Sequence, residues 1–264
     1  MFYIVYNVKI PIFVKKKIMA KIYCISNHKG GVGKTTSTIN IGAGLNKLGK
    51  KVLLIDLDPQ ANLSQSLGII EAPKNIYGSI RSEYPLEPIN VLDGLDIVPS
   101  TLDLSGAEIE LISEAGREYI LSELIEPVKK NYDFILIDCP PSIGLLTVNA
   151  LTVADAVLIP LQAEFLAVQG LTKLTEVIDK VKIRLNKKLT IGGVFITQYD
   201  NRKILNRNVV ESVEAYFKTG VFKNKIRENI ALAEAPTQGL DIFRYNPNSN
   251  GAEDYMNLCK EILS

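Results

Sequence analysis

The chain has a single histidine, His28, and only three cysteines, Cys24, Cys139 and Cys259, each far from the other two. No C-x-x-C pair and no histidine–cysteine spacing suited to a tetrahedral metal is present, which argues against a zinc site and a cysteine-held iron–sulfur cluster. Cys24 and Cys139 fall inside apolar strand patterns and are expected as buried free thiols, in keeping with a reducing cytosol. An excess of either charge is also missing, since 30 basic and 29 acidic side chains leave +1. There is no Pro/Ser/Gly-rich linker, internal repeat or low-complexity tract. With 264 residues, 47% of them apolar, the chain suits one large α/β domain with a substantial core.

Residues 1–18 stand apart. Phe2–Val14 is apolar but interrupted by Lys9 and Pro11, and the cluster Lys15-Lys16-Lys17 follows the apolar stretch. A secretory signal has its positive charge first, and a membrane span needs more length. Met19-Ala20-Lys21 then opens the first strand. The expectation is an N-terminal extension over 1–18, with Met19 as the natural start, and a single domain over 19–264.

Beyond Met19, short β-rich apolar runs alternate with helix-period segments. Strands are expected at Lys21–Ser26, Lys51–Asp56, Leu95–Pro99, Asp133–Asp138, Ala156–Pro160 and Thr190–Thr197. Helices are expected at Thr35–Leu48, Thr101–Ser113, Arg117–Lys130, Leu145–Ala154, Leu166–Leu185, Ile204–Lys218 and Ala252–Leu263. Runs such as Val52-Leu53-Leu54-Ile55 are apolar at consecutive positions, as in strands buried on both faces. The pattern predicts a doubly wound α/β fold, its sheet mostly parallel with helices on both faces. Ligands then belong at the carboxyl ends of the strands.

One such end carries Ser26-Asn27-His28-Lys29-Gly30-Gly31-Val32-Gly33-Lys34-Thr35-Thr36, between a strand and a helix. That is the context a P-loop NTPase requires. The glycines let backbone N–H groups face inward as a phosphate nest, and the helix start adds its positive dipole end. Residues 29–36 (Lys29, Gly30, Gly31, Val32, Gly33, Lys34, Thr35 and Thr36) are the candidate nucleotide-binding residues. Lys34 is expected on the terminal phosphates and the Thr35 hydroxyl on Mg²⁺.

Two further strand ends carry acids. Asp56-Leu57-Asp58-Pro59-Gln60 offers two carboxylates at i and i+2, directed to the same strand-end pocket. One can organise Mg²⁺ and the other orient water; an acidic turn capping the next helix would read the same in isolation. Ile135-Leu136-Ile137-Asp138 is an apolar strand ending in an acid, suited to holding Mg²⁺ through water. The candidate metal residues are thus Thr35, Asp56 and Asp138.

Charge is also unevenly spread. Residues 178–227 hold twelve Lys/Arg against four acids, so this fifth of the chain carries +8 and the remainder about −7. A polyanion-binding face and a merely solvated basic surface are both compatible with this.

The phosphate loop departs from G-x-x-x-x-G-K-[ST] in starting with His28, and it carries an extra lysine, Lys29. In this it resembles the deviant K-G-G-x-G-K-[ST] loop of the ParA/MinD class of ATPases. Asp56–Asn62, Asp138-Cys139-Pro140-Pro141, Ile159–Glu164, Thr197–Asp200 and Ala233–Pro236 are similar to segments of ParA/Soj partition ATPases. The resemblance implies ATP and Mg²⁺ as cofactors and a homodimer formed on ATP binding, with Lys29 reaching the partner's nucleotide. It implies that Asp58 positions the hydrolytic water, and that Asn229 matches a position contacting adenine. It further implies non-specific DNA binding, hydrolysis stimulated by a ParB-like partner, and a cytoplasmic, nucleoid-associated protein of plasmid or chromosome partition. Basal turnover is expected to be slow, since no arginine finger is evident. The catalytic set is Asp58, Lys29 and Lys34.

Departures exist. Ile226-Arg227-Glu228-Asn229-Ile230-Ala231-Leu232 stands where the family often has Ile-Pro-Arg-Asn-Val-Arg-Leu, so Glu228 and Ala231 replace two arginines. With the loop so near the start of this sequence, a helix-turn-helix domain and operator-specific repression are not expected. Two alternatives are a ParA-like ATPase that positions a non-DNA cargo and a MinD-like membrane ATPase. The second would need a basic amphipathic terminal helix. Here Tyr255, Cys259, Ile262 and Leu263 form an apolar stripe opposite three acids and one lysine, so the stripe is expected on the domain and no membrane contact is expected.

Overall fold

The computed structural model describes residues 19–164, 167–217 and 220–264. The proposed extension over 1–18, Leu166 at the start of one expected helix and Lys218 at the end of another lie outside them.

Among the described residues seven strands form one sheet: β1 Lys21–Ile25, β2 Val52–Asp56, β3 Ile89–Leu92, β4 Leu95–Val98, β5 Phe134–Asp138, β6 Ala156–Gln162 and β7 Thr190–Thr197. Their spatial order is β3-β4-β2-β5-β1-β6-β7. All pairings are parallel except β3 with β4. Every residue of β2 and β5 is buried, as their unbroken apolar runs require.

The helices are α1 Lys34–Lys47, α2 Asn62–Ser66, α3 Ile76–Ile80, α4 Leu104–Glu110, α5 Ile120–Ile125, α6 Leu145–Val153, α7 Ala167–Arg184, α8 Ile204–Phe217, α9 Ala231–Glu234, α10 Ile242–Tyr245 and α11 Asn250–Leu263. One core lies between the sheet and α3–α8, and a second between its other face and α1, α2 and α11. The doubly wound architecture expected from the sequence is the one observed.

Three local expectations change. No strand is expected at β3, yet a short edge strand folds back on β4 there through Asp93-Gly94, with Gly94 at φ 78. The helix expected over 117–130 begins only at Ile120 and ends at Ile125, two residues before Pro127; proline there has no N–H for a helical bond and clashes with the preceding turn. The helix expected over 101–113 is α-helical only to Glu110, then tightens to a 3₁₀ turn at Leu111–Ser113.

The last helix packs where its apolar stripe predicts. Tyr255 and Cys259 are buried, the Tyr255 hydroxyl meets Ser37 Oγ at 2.9 Å, and Cys259 Sγ donates to the Ile41 carbonyl. A side chain at Gly44 would lie 2.6 Å from Cys259 Sγ, so α1 and α11 touch through that glycine. Among the described residues no helix is long and apolar enough to cross a membrane. All three cysteines are buried free thiols.

Candidate nucleotide site

Parallel winding brings the loops after β1, β2, β5, β6 and β7 to one edge of the sheet, and every sequence-predicted phosphate and metal residue lies there. The loop after β1 turns through Gly31 at φ 75 and Gly33 at φ 86. These left-handed conformations strain any residue with a Cβ. Gly33 caps α1 without a side-chain hydrogen bond, so the first N–H groups of that helix face the loop unclaimed by a side-chain cap.

Lys34 is buried, and its ammonium donates to the Lys29 carbonyl at 3.3 Å. Among the described residues no carboxylate lies within ion-pair distance of it. Burial pulls its pKa down, opposed chiefly by the field of Asp138. A buried cation wrapped in loop backbone suits a bound anion. Lys29 instead projects outward, half-exposed, and forms an ion pair with Glu164 of its own chain.

The loop is braced from the far side by residues that the sequence pattern does not single out individually. Thr197 donates to the Val32 carbonyl at 2.9 Å, and Gln198 Nε2 to the Gly31 carbonyl at 2.9 Å. Gln162 Nε2 in turn donates to Gln198 Oε1 at 2.6 Å. Asn27 ties the loop's start to β6 through the Pro160 carbonyl at 2.7 Å. Gln198 sits at φ 50. Its only signal in the sequence is membership of the Thr197–Asp200 segment.

The three predicted metal residues divide into a pair and a neighbour. Thr35 Oγ1 donates to Asp138 Oδ2 at 2.7 Å, and Thr38, one turn further along α1, donates to Oδ1 at 3.1 Å. Asp56 lies opposite Asp138 in the β2–β5 register. It accepts from Ser64 N at 2.9 Å, Ser64 Oγ at 2.7 Å and Asp58 N at 3.2 Å. Burial, with Asp56 close by, raises the Asp138 carboxyl to about 8. Burial raises Asp56 to about 6, the bonds from Ser64 opposing it. Two buried acids side by side, with threonine hydroxyls, make a hard oxygen donor set suited to a divalent cation. Among the described residues no cluster of three His, Cys, Asp or Glu side chains forms a metal site. A cation here would thus rely on hydroxyl and phosphate oxygens as well.

Asp58 is buried beside this pair, its Oδ1 accepting from Gln60 N at 3.0 Å. Asn229 lines a cavity of about 360 Å³ with Gly33, Thr36, Gln198, Ile230 and Tyr255. The cavity therefore adjoins the phosphate loop directly. Asn229 Oδ1 accepts from Ala231 N at 2.9 Å, fixing the side chain at the cavity wall.

The basic run does not form one patch. Arg202 pairs with Asp200, Lys203 with Glu228, and Arg227 with both Asp254 and Glu253. Lys180, Lys182, Arg184, Lys187 and Lys188 are exposed at the end of α7 and in the turn into β7, at the edge of the sheet opposite the phosphate loop. Segment charge in sequence thus overstates the free positive surface.

This fold, with a phosphate loop between β1 and α1 and acids on the neighbouring strand ends, defines a P-loop ATPase domain. Residues 20–191 match the family described as AAA domain. The chain is 46% identical to the sporulation initiation inhibitor protein Soj of Bacillus subtilis over 251 residues, covering 93% of this chain and 99% of that protein. It is 44% identical to the chromosome partitioning protein ParA of Myxococcus xanthus, over 93% of this chain and 88% of that protein. Among solved structures, cobyrinic acid a,c-diamide synthase of Mycobacterium smegmatis, bound to an ATP analog and magnesium, superposes with a TM-score of 0.84 at 33% identity; the match covers 92% of this chain and 94% of that one. The chain belongs to the Soj/ParA family of P-loop ATPases.

Proposed function

We propose that the protein is a partition ATPase, an ATP-dependent dimerising switch that holds DNA without sequence preference and releases it after hydrolysis. The observation that carries this reading is the division of labour between two lysines of one loop. Lys34 is buried without an acid, as a group that neutralises phosphate must be, while Lys29 stands at the rim, able to reach outward to a second copy's nucleotide.

The loop glycines and α1 N–H groups bind the phosphates, and Asn229 and its cavity wall receive the adenine. Thr35, Asp56 and Asp138 hold Mg²⁺, which when bound neutralises charge developing on the phosphate oxygens. Asp58 orients the attacking water. Thr197 and Gln198 engage the loop carbonyls of Val32 and Gly31, which holds the loop backbone in place. Basal turnover is slow, because no arginine described near the loop is free to act on the phosphates. A ParB-like partner supplies the stimulation.

The exposed cations at the end of α7 are suited to phosphate backbone, which demands positive charge and carries no base code. Two copies would double that surface, and nucleoid association follows. The test is retention of DNA by the full chain with ATP, with ADP, and after replacing Lys180, Lys182, Lys187 and Lys188 by alanine. Retention that needs ATP and is lost in the variant is expected. Absent retention, or retention indifferent to the nucleotide, would overturn the reading.

A further inference from the structure

Helix α4 buries Leu104 and Ala107 on the core and the 3₁₀ turn after it buries Leu111, yet exposed apolar side chains stand beside them. Leu102 is 67% exposed, Ile109 73% and Ile112 63%. Leu102 lies in the turn before α4, Ile109 on α4 and Ile112 in the 3₁₀ turn after it, so three consecutive segments each present an apolar side chain to solvent. Between α3, the end of α4, the turn after it and α5 runs a groove of about 460 Å³. Its floor includes Ile80, Leu111 and Ile120, and its rim carries Glu110, Glu114 and Glu123.

The charge around this face is one-sided. Residues 101–118 contain five acids, Asp103, Glu108, Glu110, Glu114 and Glu118, and one base, Arg117. Arg117 is engaged with Glu118, and Arg81 at the groove is taken up by Glu83 and Glu110. Glu114 and Glu123 have no ion-pair partner among the described residues. DNA and anionic lipid are repelled by such a surface.

We infer that this α4–α5 face docks a basic amphipathic segment of the stimulating protein partner, its apolar side chains on Leu102, Ile109 and Ile112 and its Lys/Arg on Glu114 and Glu123. The inference rests on the partition reading given above. The chemistry is that of an amphipathic helix laid in an apolar groove with a charged rim, where the rim charge sets encounter and selectivity. The face is also wired to the site. Glu108 of α4 accepts the Leu146 N–H at the start of α6 at 3.2 Å, and α6 is entered from the loop after Asp138. A Cβ at Gly144, in that loop, would sit 2.0 Å from the Glu108 carboxylate, so the Glu108 side chain packs directly on the loop. Asn149 of α6 likewise bonds Leu121 N and the Arg117 carbonyl.

The experiment compares ATP hydrolysis by the wild type and by a Glu114→Lys/Glu123→Lys double variant, with and without the ParB-type protein encoded in the same genome. A second variant, Ile112→Ser, tests the apolar half. Both variants are expected to keep the wild-type basal rate and ATP-dependent dimer mass, and to lose at least tenfold in stimulation. Glu114→Gln/Glu123→Gln should lose less, with stimulation in the wild type weakening as salt is raised. Undiminished stimulation in the reversal and Ile112→Ser variants overturns the docking site and leaves the partition reading intact. Loss of dimer mass instead would overturn it by assigning the face to a second copy. If the wild type dimerises with ATP but no ParB-type protein stimulates it, the partner reading fails and this inference falls with it.

Discussion

Lys29 and Glu164, 135 positions apart in the chain, meet as an ion pair at the mouth of the phosphate loop. A lysine that is to reach a second copy's nucleotide must first leave this carboxylate. The pair is half-exposed, so it contributes about 0.2–1 kcal/mol at most. Each dimer releases two such pairs, so Glu164→Gln is expected to strengthen ATP-dependent dimerisation by about 2- to 30-fold, and Lys29→Ala to abolish it. Sedimentation velocity with ATP reads both. Normal dimerisation of Lys29→Ala would remove the lysine's role across the interface.

Lys34 and Asp58 should separate binding from chemistry. Lys34→Ala leaves the phosphate nest without its buried cation, and titration calorimetry should detect no ATP binding. Asp58→Ala should bind ATP and dimerise as the wild type does, with hydrolysis lower by about 100-fold or more, the range for losing a carboxylate that orients the attacking water and can accept its proton. Equal loss of binding in both variants would mean that Asp58 shapes the site rather than acting on water.

The raised Asp138 carboxyl makes a pH prediction. In the folded protein it titrates near 8, against 3.8 ordinarily. Between those values the folded state holds more protons than the unfolded one, so its contribution to stability falls as pH rises. In EDTA, thermal denaturation should show the wild type losing stability relative to Asp138→Asn from about pH 4 to about pH 8. Added Mg²⁺ should reverse the loss at the alkaline end for the wild type alone. Parallel curves would show that burial does not perturb this acid.

Arg227 should prove structural despite lying in the basic run. Its Nε and Nη2 hold Asp254, which is 7% exposed, at 2.6–3.0 Å. Arg227→Ala leaves that carboxylate without its charged partner and should cost about 1–3 kcal/mol of stability, read as a lower denaturant midpoint. The salt dependence of DNA retention should be unchanged. Lys187→Ala or Lys188→Ala should leave stability alone and reduce the slope of log K against log salt by about 0.9 for each DNA phosphate that is no longer neutralised.

Much of this protein is legible because its signals are local. Strand ends at Asp56 and Asp138, the first strand's end to within a residue (Ser26 expected, Ile25 found), the loop glycines and Lys34 are read from neighbours a few residues away. The edge strand β3 is less visible: it is short and only partly buried, and Asp93-Gly94 is its single turn signal. Pro127 is the local marker that shortens α5, and the helical periodicity running past it hides its effect.

The amino-acid sequence by itself determined the winding, the phosphate loop and the order of its acids, since each depends on residue type at short spacing. Only the tertiary structure decided that Asp56 faces Asp138 across paired strands, that Glu164 holds Lys29, and that Asp254 neutralises Arg227. Those relations depend on which distant strands and helices become neighbours, and no local pattern carries that information. A charge count along the chain therefore cannot say which charges are free, because ion pairs form across the fold.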